Sequence, residues 1–312
     1  MKRRRFVATL GAGLAGVFLP ALPPLSPLPR LKRERFVERW SWGMGQAVHV
    51  MVYAESEDQG LEACAKALAE LRQIEAKLSL FDDASELCEL NRRAGKRPLR
   101  ASGELRWAVS AAEQLREITQ GAFNVAVEPL MRVWGFHRAR RTIASPTELA
   151  AARKSVATAT VRCDDRALSL PNSHTKLDLG GIGVGLGIDS MWGVLLNAGI
   201  RRAFIDVSGD CFGLGAPPGE PEGWAVGIAG SEHVVRLRNH ALATSSNTTS
   251  VIELEKHVLG HIMDPERGVP VDTRRQVTVV SSSAIEADAL STASLVSGRS
   301  YQPRTAITYI TE

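Results

Sequence analysis

Leu177-Asp-Leu-Gly-Gly-Ile-Gly-Val-Gly-Leu-Gly-Ile-Asp189 sets five glycines between two aspartates. Glycine has no Cβ, so backbone here can come close to a ligand or to a neighbouring element. The apolar residues 191–196, Met-Trp-Gly-Val-Leu-Leu, predict a helix, and the amides at its N-terminal end would face an anion such as a phosphate. Spacing excludes the two common phosphate loops. Glycines at 180, 181, 183, 185 and 187 make no G-x-G-x-x-G, and no Gly-Lys-Ser/Thr follows. The stretch by itself leaves two readings open: a nucleotide site of another kind, or glycines that only permit tight packing.

Downstream, residues 204–207, 224–228, 233–237, 251–254 and 277–280 predict strands, with a helix over 284–296 and a closing strand over 305–310. Upstream, 46–54 alternates as a half-buried strand, and 58–78 is apolar at 61, 64, 65, 68, 71 and 74, the period of an amphipathic helix. Phe81-Asp-Asp-Ala-Ser85 caps a short helix over 86–92, and a longer one covers 102–119. A loop and short helix fill 121–136, a capped helix begins at Ser145-Pro146, and 160–163 with 167–170 form a hairpin around Asp164-Asp165. Strands and helices are interspersed without a regular βαβ rhythm. This predicts an α+β class, mixed or antiparallel sheets with interspersed helices, in a single large domain over 40–312. At 312 residues and 44% apolar content the chain can fill such a core.

The N-terminus reads differently. Arg3-Arg4-Arg5-Phe6-Val7 ahead of the apolar residues 8–19 fits a twin-arginine export signal, and the apolar run is short for a membrane span. Five prolines within 20–29 make a spacer, so 1–29 is expected to be signal and linker. The expected location is periplasmic, with inner-membrane association if the signal is retained. Nine basic side chains against two glutamates in the first forty residues carry the chain's excess positive charge; the remainder is slightly acidic. That leaves no basic footprint, and no nucleic-acid partner is expected. Cys64, Cys88, Cys163 and Cys211 show no metal-like spacing and read as buried free thiols.

Four further segments carry chemistry-bearing side chains. His261-Ile-Met-Asp-Pro-Glu-Arg-Gly268 puts a titratable histidine before a rigid turn, as a general base requires. Asp288 and Thr292 lie one helical turn apart, two hard oxygen ligands of the kind Mg²⁺ takes, with Ser291 beside them. Residues 243–250 form a hydroxyl-rich loop, and Asp206-Val-Ser-Gly-Asp210 ends a strand in a turn. No G-x-S-x-G nucleophile elbow is present.

These pieces, in this order, resemble the ApbE family of FAD:protein FMN transferases. The resemblance runs from Met44-Gly45 to the helix ending near Gly298. It rests on Ser79-Leu-Phe81 with Ser85-Glu-Leu-Cys-Glu-Leu-Asn91, Gly121-Ala-Phe-Asn124 with Trp134-Gly-Phe136, the glycine stretch, Ser208-Gly-Asp210, Trp224-Ala-Val-Gly-Ile228, Ala243-Thr-Ser245, His261-Ile-Met-Asp-Pro265 and Ala287-Asp-Ala-Leu-Ser-Thr292. It implies a T-fold-like domain that splits FAD and attaches FMN, through its phosphate, to a threonine of a partner flavoprotein, with Mg²⁺ on the pyrophosphate. The partner would be a periplasmic or membrane-bound flavoprotein. Carried over, the metal ligands are the Gly183 carbonyl, Asp288 and Thr292, and the base is His261. FAD, the substrate, would be held by Met44, Phe81, Ala122, Phe123, Asn124, Gly180, Leu186 and Ile262.

The chain departs from the family pattern in places. Ile182-Gly-Val-Gly185 stands for Ile-Ala-Lys-Gly, so Val184 replaces a cation near the diphosphate. Phe81 replaces a tyrosine, Asn124 an aspartate and Gln46 a threonine, and Arg267 sits one position later than the family's arginine after Asp-Pro. Arg267 is a candidate for the missing cation. The lost lysine keeps two alternatives in play: an exported FAD-binding protein without transferase activity, and an Mg-dependent FAD pyrophosphatase giving FMN and AMP.

Overall fold

Val48, Val50 and Val52 are fully buried while the residues between them are only half-buried. This alternation makes the strand β2 (Gln46–Ala54) one wall of a core. In the computed structural model, which describes residues 34–137, 142–248, 251–255, 257–301 and 307–311, it pairs with β1 (Arg35–Gly43) through the tight turn Met44-Gly45. Both turn residues have positive φ, 54° and 70°, as the two-residue hairpins that match strand twist require. Further strands are β3 (Arg202–Val207), β4 (Asp210–Leu214), β5 (His240–Ser246), β6 (Gln276–Ser281) and β7 (Ile307–Thr311). The seven form one sheet in chain order, each antiparallel to its neighbour.

Helices fill the excursions between strands. Those following β2 are α1 (Glu57–Leu78), α2 (Glu86–Arg92), α3 (Gly103–Ile118), α4 (Glu128–Trp134), α5 (Pro146–Ala157) and α6 (Gly180–Asn197); α7 (Ala284–Ser297) links β6 to β7. Serines at 56, 85, 102 and 145 cap α1, α2, α3 and α5 with their side chains, which fixes the starts that the sequence marks. Three long helices cover one face of the sheet: α1 over β1 and β2, α6 over β3 and β4, α7 over β5 and β6. The hairpin Trp224–Gly227 with Val234–Leu237 packs on Cys211, Leu242 and Val280, on the sheet face opposite the helices. The α+β expectation holds, in one domain. No helix among the described residues is long and apolar enough to cross a membrane. The expected signal and linker, 1–29, lie outside the described residues.

Several expectations are corrected. The glycine stretch is itself helix: α6 starts at Gly180, not near Met191, and none of its five glycines takes a positive φ. Close crossing explains it. A Cβ on Gly185 would lie 2.5 Å from the Ala284 carbonyl oxygen, and one on Gly187 would lie 2.4 Å from Leu71 Cδ1. Helical glycine costs about 0.5–1 kcal/mol relative to alanine, and here the loss is offset by burying α6 against both α1 and α7. Residues 243–246 are central strand β5 rather than loop, because the hydroxyls of Thr244 and Thr278 bond across the ladder at 2.8 Å. β1 and β4 were not anticipated: outward-facing Trp40 and Trp42 hide the period of β1, and Gly213 interrupts that of β4. All four cysteines are free, Cys64 and Cys211 buried as expected, Cys163 exposed.

Candidate functional site

A cavity of about 530 Å³ opens where the Met44-Gly45 turn, the first turn of α6, the ends of β3 and β5, the 261–265 segment and α7 converge. Met44, Ala122, Phe123, Asn124, Gly180, His261, Ile262, Asp288 and Thr292, all named from the sequence, line it together. Three other candidates lie elsewhere. Leu186 is buried in the helical core, Gly183 is buried but outside the lining, with nothing within 4 Å of a Cβ built on it, and Phe81 is 83% exposed beside a separate cavity that it shares with His137 and Lys176. In the glycine stretch it is Gly181 that faces Thr292, since a Cβ built there would sit 3.9 Å from Thr292 Oγ1. Val184 is also in the lining. Arg267 is not; it lines the neighbouring cavity.

The deep end of the cavity is made of oxygen. Ser245 Oγ lies 2.7 Å from Ser291 Oγ and 3.0 Å from Thr292 Oγ1. The Thr244 amide donates to Asp210 Oδ1 at 3.0 Å, and the Gly185 amide to Asp288 Oδ2 at 3.2 Å. Burial, reinforced by the charge of Asp210, pushes the Asp288 carboxyl well above the usual range. Burial and the nearby Asp206 push Asp210 up to about 7, against the pull of the Thr244 amide. No three His, Cys, Asp or Glu side chains among the described residues converge as a metal cage. Two carboxylates with hydroxyls are instead the sparse hard-oxygen set that suits Mg²⁺, which keeps water and substrate oxygens in its shell.

Backbone devices hold these groups. Asp189, at the far end of the stretch, reaches across to α7. It accepts the amides of Ala284 at 2.9 Å and Ile285 at 3.1 Å, and the Ser283 hydroxyl at 2.8 Å. Asp178, at the near end, accepts the Gly180 amide at 2.8 Å and pairs with His137 Nε2 at 3.0 Å. Burial alone would lower the His137 pKa, but its hydrogen bond with Asp178 and the nearby Glu128 carboxylate, 3.9 Å from Nδ1, outweigh that and raise it to about 9. Asn247 steadies the segment around His261: its Oδ1 accepts the Ile262 amide at 2.8 Å, and its Nδ2 donates to the Val271 carbonyl. On the other side, Asp264 Oδ1 accepts the amides of Glu266 and Arg267 at 2.9 and 2.8 Å, closing the turn. The sequence names the segments around Asp210, Asn247, Asp178 and Asp189 but assigns these residues no part. His137 has no local signal at all.

Comparison with known proteins agrees with this geometry. The sequence model of the ApbE family matches residues 44–307. The chain is 28% identical over 239 residues to the FAD:protein FMN transferase of Vibrio cholerae, covering 73% of this chain and 71% of that one. It is 28% identical over 296 residues to the Treponema pallidum protein of the same name, covering 85% and 80%. Among solved structures, the apo flavinyl transferase ApbE of Pseudomonas stutzeri superposes with a TM-score of 0.75 at 25% identity, covering 85% of this chain and 86% of that one. The Thermotoga maritima ApbE protein shares the fold at a TM-score of 0.74 and 24% identity, covering 84% and 87%. With its oxygen-lined cavity, its seven-stranded antiparallel sheet and a family match over most of its length, the chain belongs to the ApbE family.

Proposed function

We propose that the protein is an Mg²⁺-dependent FAD:protein FMN transferase, moving FMN from FAD to a threonine of an exported flavoprotein, periplasmic or membrane-bound. One observation carries the Mg²⁺ reading. Asp178, Asp210 and Asp288 line the cavity, and no lysine or arginine does so among the described residues. A dinucleotide with a charged diphosphate would be repelled unless a cation enters with it. Asp288 and Thr292, with a carbonyl from the first turn of α6, would hold Mg²⁺, which when bound neutralises charge on the diphosphate. That also accounts for a working site in which Val184 stands where the family has lysine.

In this reading the amides and carboxylate at the start of α6 orient the dinucleotide, and Met44 and Ile262 give it apolar walls. His261 takes the proton of the acceptor hydroxyl. The freed oxygen bonds to the FMN phosphorus as the bond to the AMP oxygen breaks, and AMP leaves. Incubation with FAD, Mg²⁺ and a threonine-bearing acceptor domain tests the proposal by flavin fluorescence of the acceptor on a denaturing gel. A labelled band that disappears in His261→Ala supports transfer. FMN and AMP without a band point to hydrolysis, intact bound FAD to a carrier, and either result overturns it.

A further inference from the structure

A second cavity, about 1030 Å³, adjoins the first and shares Ala122, Asn124 and Pro265 with it. Its charge is opposite. Arg153 and Lys154 from α5, Arg267 from the turn and Arg299 beyond α7 line it, against only Asp264 and Glu266. The Asp264 carboxylate is committed to capping its own turn, and Arg153 Nη2 anchors that turn by donating to the Glu266 carbonyl at 3.0 Å. The turn belongs to the hairpin Met263–Asp264 with Val269–Pro270, so its position relative to His261, three residues earlier, is set by strand pairing. Asp288 and Thr292 line only the first cavity. A diphosphate drawn to the four cations would therefore lie away from the oxygens meant for it. What the transfer reaction still lacks is an entrance for a polypeptide, and the shared residues set the basic cavity directly beside the one that His261 lines.

We propose that the basic cavity is the docking groove for the acceptor polypeptide, and that it selects a segment with aspartate or glutamate near the threonine to be modified. The inference rests on the transfer reading above. Exposed ion pairs are individually weak and screened by salt, so such a groove acts through several contacts at once and steers the partner as well as holding it. The test uses the full chain and a short fluorescein-labelled peptide with a central threonine flanked by Asp and Glu, beside a copy carrying Asn and Gln. Anisotropy reads peptide binding, and quenching of flavin fluorescence reads FAD binding. The acidic peptide is expected to bind more tightly, with affinity that falls as salt rises. Lys154→Glu with Arg299→Glu is expected to weaken it about tenfold while FAD affinity stays unchanged. Equal binding of the two peptides overturns the proposal, as does a charge reversal that lowers FAD affinity and spares the peptide. Because binding is read without turnover, retained selectivity for the acidic peptide in a protein that transfers no flavin supports the groove while the transfer reading fails.

Discussion

Asp189 Oδ1 accepts the Ala284 amide at 2.9 Å, so a residue of α6 caps the helix that carries Asp288 and Thr292. Ser283, the residue before that helix, makes no capping bond of its own; its hydroxyl also goes to Asp189. A borrowed cap ties the register of α7 to α6, and with it the spacing between Thr292 and the first turn of α6. Asp189→Ala is expected to lose the cap and its favourable charge at the helix N-terminus, about 1–2 kcal/mol. Chemical denaturation reads that loss. Weaker FAD binding is expected alongside it, and unchanged stability would show that the cap holds nothing.

Gly185 and Gly193 sit in the same helix and are expected to respond in opposite directions to alanine. A Cβ at 185 meets the backbone of Ala284 and Ile285 at 2.5 and 2.6 Å, whereas one at 193 meets nothing within 4 Å. Gly193→Ala is expected to stabilise by about 0.5–1 kcal/mol through helix propensity. Gly185→Ala is expected to destabilise by about 1–3 kcal/mol, since α7 must shift to admit it. Thermal melts of the two variants check the contrast.

His137 titrates near 9, above its ordinary value, because it is paired with Asp178 and Glu128. A group whose folded pKa is raised lends stability that is complete below its unfolded pKa, near 6.5, and is lost as pH rises through about 9. Asp178 would then face a neutral imidazole and lose its opposite charge beside the cavity. The protein is expected to lose stability between about pH 6.5 and 9 and FAD affinity as the folded imidazole loses its charge near 9, and His137→Gln to flatten both profiles. NMR titration of the imidazole gives the pKa directly, and a value near 6.5 would refute the pairing.

Asp210 acts in the same direction over a lower pH window. Its folded pKa, about 7, lies above the unfolded value of 3.8, so the unfolded chain gives up its proton first as pH rises. Metal-free protein is therefore expected to become less stable from about pH 4 to about pH 7. Mg²⁺ should oppose this, raising the melting temperature more at pH 8 than at pH 5. An Mg²⁺ effect independent of pH would separate the cation from these carboxylates.

Local signals marked most elements in advance. Serine caps and apolar periods placed α1, α2, α3 and α5 to within a few residues, because capping and amphipathicity act over one or two turns. The order of short motifs gave the family, and with it nine of the residues that now share one cavity. What the chain could not announce depends on contacts between distant segments. Whether Gly185 serves a ligand or a helix crossing is settled only by Ala284, 99 positions away. The same holds for Asp189, whose carboxylate caps a helix it does not belong to, and for His137, which matters through Asp178. The sequence by itself marked a glycine stretch, two aspartates and a histidine as the segments to bring together. Only the tertiary structure decided that Gly185 and Gly187 pack helices, that Gly181 is the one facing Thr292, and that the cations missing from the first cavity lie in its neighbour. Packing and electrostatics join residues by distance in space, and spacing along the chain does not encode that.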